Sequence, residues 1–265
     1  MHTAWEVTLE QKQLPKLKNP LLIEGLPGIG NVGKITADFL VEQFKAKKLY
    51  SFFSHKFPHS VFVSALGLIE APKLDLYYKE GKGKHRDLLF LVGDIQPVDE
   101  EGCYSFCEEV IHVCKRLGCS ELITTGGIGF ESIPENPKVY VAGNTEKMIT
   151  EFTKRGLNVQ RDIFGIVGPI VGVSGILLGL GGRRGLHGVC LLSETFANPL
   201  YLGIKGAKEI VTILNKKYHL NLNLNKLEKD IIEMEKDLPR RTQEWGETMH
   251  APKNSHHHKD MNYIG

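Results

Sequence analysis

The chain contains no Cys-x-x-Cys pair, no excess of either charge and no basic stripe with interleaved aromatics. Its five cysteines, Cys103, Cys107, Cys114, Cys119 and Cys190, form no disulfide-rich layout, which suits a reducing compartment. Cys103, Cys107 and Cys114 share one face of a predicted helix. Without a paired thiol motif they read as small buried hydrophobes, and no metal is expected there. Lys and Arg number 33 against 31 Asp and Glu, a formal net charge of +2, so nothing marks nucleic acid as a partner. Met1 to Lys18 is polar and lacks the apolar core of a signal peptide, which makes a cytoplasmic location the expectation. His256, His257 and His258 lie in a polar tail and are assigned no function.

Long apolar runs are equally scarce. Ile163 to Leu180 is 18 residues without a charge, the lower edge of membrane-span length. Seven glycines between Gly165 and Gly182, with Pro169 among them, make it a poor single helix. A loop and a helix buried in the core is the expectation, not a membrane span.

What is present is a globular composition, 42% hydrophobic over 265 residues, enough for a substantial core. Strand patterns recur at Leu21 to Ile23, Leu49 to Ser54, Ser60 to Leu66, Leu74 to Lys79, Asp87 to Val92, Glu121 to Thr125, Val139 to Ala142 and Gly188 to Ser193. Between them come helical patterns at Lys34 to Phe44, Glu100 to Leu117, Thr145 to Arg155, Ser174 to Leu180, Gly206 to Lys216 and Leu224 to Asp237. Short continuous apolar runs such as Leu88 to Val92 suit strands covered on both faces. The alternation predicts a three-layer α/β fold, a mostly parallel sheet with helices on both faces. Tyr77 to Arg86, rich in Gly and Lys, reads as an antiparallel hairpin turn.

The most informative stretch is LLIEGLPGIGNVGKITADFL, Leu21 to Leu40. A strand, a glycine-rich turn and a helix in that order direct backbone N–H groups at a helix N-terminus, where an anion is welcome. Gly28, Gly30 and Gly33 satisfy GxGxxG, and Gly28 through Lys34 satisfies GxxxxGK. The first signature needs an acid about 20 residues on, at the end of the next strand; His55 and Lys56 stand there. The second needs Ser or Thr directly after the lysine to hold Mg²⁺; Ile35 occupies that place. A tight turn whose glycines permit close packing explains the same residues. Three further strand ends carry glycine or acid: Gly93-Asp94, Gly126 to Gly129 and Ser193-Glu194. Since open sheets bind ligands at the carboxyl ends of parallel strands, a crevice formed by Gly28, Gly30, Asn31, Gly33, Lys34, Asp94, Gly127 and Glu194 is the candidate ligand site. Polar loop ends with turn glycines would look the same.

Residues 1–238 are expected as one domain, closed by an amphipathic helix at about 224–237 with Leu227, Ile231, Met234 and Leu238 on one face. Residues 239–265 are polar, a tail with little apolar surface to order it.

Glu24-Gly25-Leu26-Pro27-Gly28-Ile29-Gly30-Asn31-Val32-Gly33, Gly93 to Pro97, Gly126 to Gly129, Gly165 to Gly168 and Gly175 to Leu178, in that order, resemble the proteasome assembly chaperone 2 family, most closely its archaeal members. The resemblance spans roughly Leu21 to Asp237. It implies a fold similar to purine nucleoside phosphorylases without their catalytic residues, homo-oligomers, and binding of proteasome subunits or a proteasome-related partner, with no cofactor. Members that dock on the proteasome α-ring use a C-terminal hydrophobic–Tyr–any-residue tail. Here Tyr263-Ile264-Gly265 places the tyrosine third from the end with Asn262 before it, so action through a partner protein is the more comfortable version. The alternative is a nucleotide-binding enzyme, an ATP-grasp-type ligase or nucleoside-processing protein, with the Gly28–Lys34 turn as phosphate cradle.

Overall fold

The computed structural model describes residues 4–64, 66–83, 85–161 and 168–233. Its strands are β1 (Glu6–Leu9), β2 (Leu21–Gly25), β3 (Lys47–Phe53), β4 (Phe62–Val63), β5 (Ile69–Glu70), β6 (Leu74–Lys79), β7 (Leu88–Gly93), β8 (Glu121–Phe130), β9 (Val139–Gly143) and β10 (His187–Phe196). Its helices are α1 (Val32–Phe44), α2 (Glu100–Arg116), α3 (Glu146–Phe152), α4 (Val173–Arg183) and α5 (Ile204–Tyr218). Eight strands form one sheet in the order β1-β3-β6-β7-β2-β8-β10-β9. The central four, β7-β2-β8-β10, are parallel, and the outer strands pair antiparallel on both sides.

Two apolar clusters sandwich this sheet. One joins the Leu22, Leu89, Leu122 and Cys190 face to α2 and α4; the other joins the Ile23, Phe90, Ile123 and Leu191 face to α1, α3 and α5. Period-two alternation along β2 and β7 thus feeds both cores, which is why these strands are apolar throughout. Helix α2 shows the local logic of the helical layer. Asp99 caps it by accepting from the Gly102 N–H at 2.6 Å, with Glu100 and Glu101 in the first turn and Lys115 and Arg116 in the last. Cys103, Phe106, Cys107, Val110 and Cys114 make its buried stripe. All five cysteines are buried free thiols, and the described residues include no group of three potential metal ligands.

The structure departs from the sequence reading in four places. Edge strand β1 was not foreseen; Trp5, 3% exposed, anchors it by donating to Ser105 Oγ at 2.9 Å and packing on Phe57 and Phe106. The run expected as a strand at Ser60 to Leu66 leaves the main sheet and, with β5, makes a separate two-stranded hairpin. Gly126 to Gly129 are not a loop: β8 continues through Phe130 in parallel register with β10, so Gly127 lies opposite Ser193. Helix α3 ends at Phe152, short of the Arg155 expected. The last helical stretch, 225–233, lies against the body: Leu227 is buried in the α1/α5 core, while Lys226 pairs with Glu42 and Lys208 with Glu228. Ile231 is half-buried. Met234, Leu238 and the whole tail, 239–265, with Tyr263, Ile264 and Gly265, lie outside the described residues, as do Gly165 to Val167. No described helix is long and apolar enough to cross a membrane.

Candidate functional site

The glycine turn connects β2 to α1 at the carboxyl end of the parallel strands. A single 3-10 turn (Ile29–Asn31) leads into α1, with Gly30 at φ 62° and Asn31 at φ 52°. Two consecutive left-handed residues reverse the chain within one turn; glycine takes that conformation freely and asparagine better than most side chains. The turn is pressed onto the sheet. A Cβ on Gly33 would lie 2.4 Å from the Thr125 carbonyl oxygen, and one on Gly127 2.3 Å from that of Ile29. A Cβ on Gly30 would meet Thr195 Oγ1 at 2.4 Å, and the Gly203 N–H donates to the Gly30 carbonyl at 2.7 Å. Gly28, by contrast, is extended with open space around it.

Lys34, in the first turn of α1, reaches Asp38 Oδ2 and Asp94 Oδ1, each at 2.7 Å. Burial pulls its ammonium down, but the hydrogen bonds and charges of the two aspartates outweigh this, and the net shift is upward. No side chain caps the N-terminus of α1 and no acid occupies its first turn.

The structure therefore brings Gly28, Gly30, Asn31, Gly33, Lys34, Asp94 and Gly127 to one side of one sheet end. Glu194 is not with them. It alternates with Thr195 along β10, so when Thr195 faces Gly30, Glu194 faces the α2/α4 side. There it accepts from Tyr140 Oη at 2.8 Å and from the Lys138 N–H at 3.0 Å. Burial, then this hydrogen bond, pushes the Tyr140 hydroxyl up to about 12. The dinucleotide signature also has no place for its acid here, because β3 stands at the antiparallel flank, separated from β2 by β6 and β7.

Sequence reasoning passed over a more unusual group. Glu24, the acid inside the apolar β2 run, is 0% exposed, and its Oε2 has no hydrogen-bond partner among the described residues. Ser174 Oγ, in the first turn of α4, donates to its Oε1 at 3.2 Å. Burial, partly offset by that hydrogen bond, raises its pKa to about 8. Thr124, its register partner on β8, is likewise buried with Oγ1 unpartnered among the described residues. Gln96 ties the same region together by donating to the Pro27 carbonyl and accepting from the Val173 N–H at the start of α4. A lone charge inside a doubly covered strand was the signal for Glu24.

Comparison with known proteins gives this geometry its context. A model of the PAC2 family matches residues 22–241. The chain belongs to the PAC2 family. An uncharacterized protein of Methanocaldococcus jannaschii is 32% identical over 225 residues, covering 84% of this chain and 83% of that one. Among solved structures, Pyrococcus furiosus PbaB, an archaeal proteasome activator, superposes with a TM-score of 0.82 at 31% identity, over 91% of this chain and 99% of PbaB. Pyrococcus furiosus PbaA, an archaeal homolog of proteasome-assembly chaperone, reaches a TM-score of 0.72 at 27% identity, over 92% and 94%.

Proposed function

We propose that this PAC2 protein is a non-catalytic, oligomeric scaffold that binds proteasome subunits or a proteasome-related partner. The observation that carries the reading is the match to PbaB over nearly the whole of both chains. The surface chemistry supports it. The β4–β5 hairpin presents Val63, Leu66 and Ile69 at 68%, 85% and 72% exposure, with Val61, Phe62 and Leu68 beside them. An exposed apolar cluster of that kind is the surface a protein contact uses.

The test is sedimentation of the full chain with pull-down against proteasome α subunits. Assemblies larger than a monomer and recovery of α subunits or a proteasome-related protein are expected. Monomer alone with neither recovered overturns the reading. Val63→Asp combined with Ile69→Asp should weaken association by about tenfold or more, because each buries a charge in the contact. Thermal stability should stay unchanged, since both side chains are exposed in the isolated chain. Tyr263→Ala tests the tail in the same assay: an aromatic anchor is a common hot spot, and unaltered partner recovery removes the tail from the contact.

One observation favours the nucleotide-binding alternative, the uncapped α1 N-terminus beside Lys34. Against it, Lys34 already serves two carboxylates, and the turn is pressed onto the sheet, Gly30 against Thr195 and the Ile29 carbonyl against Gly127. Calorimetry with ATP, NAD and nucleosides separates the two readings; saturable heat abolished by Lys34→Ala would favour the enzyme.

A further inference from the structure

The turn that ends α2 holds two cysteines against each other, and nothing in the proposed scaffold role uses them. Leu117 closes the helix, and Gly118, at φ 76°, turns the chain back across it. The Gly118 N–H donates to the Lys115 carbonyl at 3.0 Å, and the Cys119 N–H donates to the Cys114 carbonyl at 2.9 Å. This pair of bonds is the Schellman motif, which folds the second residue past the cap over the third residue from the helix end and commonly joins their side chains in an apolar contact. Here both positions are cysteine. Both thiols are free and buried, Cys114 completely and Cys119 at 5% exposure.

The two thiols are not alike. Cys114 donates its proton to the Cys119 sulfur, which lowers the Cys119 pKa and raises that of Cys114 well above the ordinary thiol value. Burial opposes the shift at Cys119, while backbone hydrogen bonds at Glu121 and Leu22 and the charge of Arg86 reinforce it. Cys119 is therefore the readier nucleophile, with Cys114 beside it to close a bond. A second pair in the same helix gives the contrast. Cys103 and Cys107 are hydrogen-bonded in the same manner, four residues apart within α2. Helical neighbours at that spacing hold their Cβ atoms about 5–6 Å apart, whereas a disulfide needs about 3.5–4.5 Å. A bond there would require the helix to open. Cys119 lies outside the helix, so helical spacing does not hold it away from Cys114.

We propose that Cys114 and Cys119 are a modification site, a thiol pair that hydrogen peroxide converts to a reversible disulfide across the end of α2. The Cys119 thiolate attacks one peroxide oxygen. The O–O bond breaks, Cys119 becomes a sulfenic acid, and the departing hydroxide takes up the proton that Cys119 released, leaving as water. The Cys114 sulfur then attacks the Cys119 sulfur. The S–S bond forms, the S–O bond breaks, and the hydroxide leaves with the Cys114 proton as a second water. Two thiols lose two electrons in all, and one peroxide is reduced to two waters. A dithiol reverses the change by thiolate attack on the disulfide.

The test treats the folded full chain with hydrogen peroxide, alkylates the remaining thiols after denaturation, and maps the tryptic peptides by mass. Cleavage after Lys115 and Arg116 separates the two cysteines, so the bond shows as a cross-linked pair of peptides that dithiothreitol releases. Before alkylation the oxidised chain should be lighter by about 2 Da, the two hydrogens lost. Cys103, Cys107 and Cys114 share one tryptic peptide. Cys103→Ala combined with Cys107→Ala should therefore keep the cross-link and assign it to Cys114. In Cys114→Ala the sulfenic acid should persist on Cys119 and be trapped by dimedone. In Cys119→Ala the loss of thiols at the same peroxide dose should slow by about tenfold or more. Five intact thiols in the oxidant-treated parent overturn the proposal, a reading that needs no variant to fold. So does a cross-link that disappears in the Cys103 and Cys107 double variant, or dimedone that labels other cysteines in Cys114→Ala and leaves Cys119 bare.

Discussion

Gly25→Ala should lower the melting temperature by roughly 10 °C, whereas Gly28→Ala, three residues on in the same motif, should leave it within a degree or two. The two positions differ only in what a methyl group would meet. At Gly25 it would lie 2.1 Å from the Gly33 carbonyl oxygen and 2.8 Å from Ala37 Cβ, and neither can rotate away because both belong to α1. Relief requires shifting the helix off β2, where Val32, Ala37 and Leu40 hold it in the core. Overpacking against fixed backbone reaches the upper part of the usual range, about 3 kcal/mol or more, and a chain of this size loses about 2–4 °C per kcal/mol. Gly33→Ala meets the Thr125 carbonyl and should behave like Gly25→Ala. Gly30→Ala adds a left-handed φ to its encounter with Thr195, but a side chain can yield where a carbonyl cannot, so its loss should be smaller. A series of thermal melts ranks the four. If Gly28→Ala proves as damaging as Gly25→Ala, close packing does not explain the motif.

This ranking was only half visible in the sequence. The glycines announced a strand-to-helix turn, and the flanking apolar runs placed β2 and α1 to within two residues. Which glycine touches which neighbour depends on sheet order, and no local pattern encodes that β8 and β10 lie under the turn. The same limit explains Gly126 to Gly129. Glycine is a poor strand former, so the run reads as a loop until the Ile29 carbonyl is seen resting on Gly127. The position of Glu194 was closer to legible. Once β10 reaches Phe196, parity with Cys190 and Leu192 assigns it to the α2/α4 face. Edge strand β1 left almost no trace, because four residues with one half-buried valine carry too little periodicity; its order comes from Trp5, a long-range contact. The β4–β5 hairpin misled for the opposite reason. Its apolar residues look like a core strand, yet they are exposed.

Glu24→Gln should make the protein more stable than its parent at pH 9 and nearly equal to it at pH 5. In the folded state burial lifts the Glu24 pKa to about 8, against an ordinary value of 4.5. Between those values the folded protein holds a proton that the unfolded chain releases. Stability therefore falls as pH rises through this window: below it no penalty exists, and above it the full penalty applies. The shift corresponds to a loss on the order of a few kcal/mol. Glutamine keeps the shape and still accepts from Ser174, but it has no proton to lose, so its stability should lack this component. Any other group that titrates between those pH values does so in both proteins. The difference between parent and variant in urea melts at pH 5, 7 and 9 therefore isolates Glu24. A difference that stays constant across the three would mean that Glu24 does not titrate in this window. A parent that loses stability toward pH 5 relative to the variant would mean that the carboxylate is ionised in the fold, with partners for its charge. The predicted trend instead makes the protonated acid a neutral polar bridge between β2 and the first turn of α4, held by Ser174 and enclosed by the same apolar faces that exclude water from the sheet.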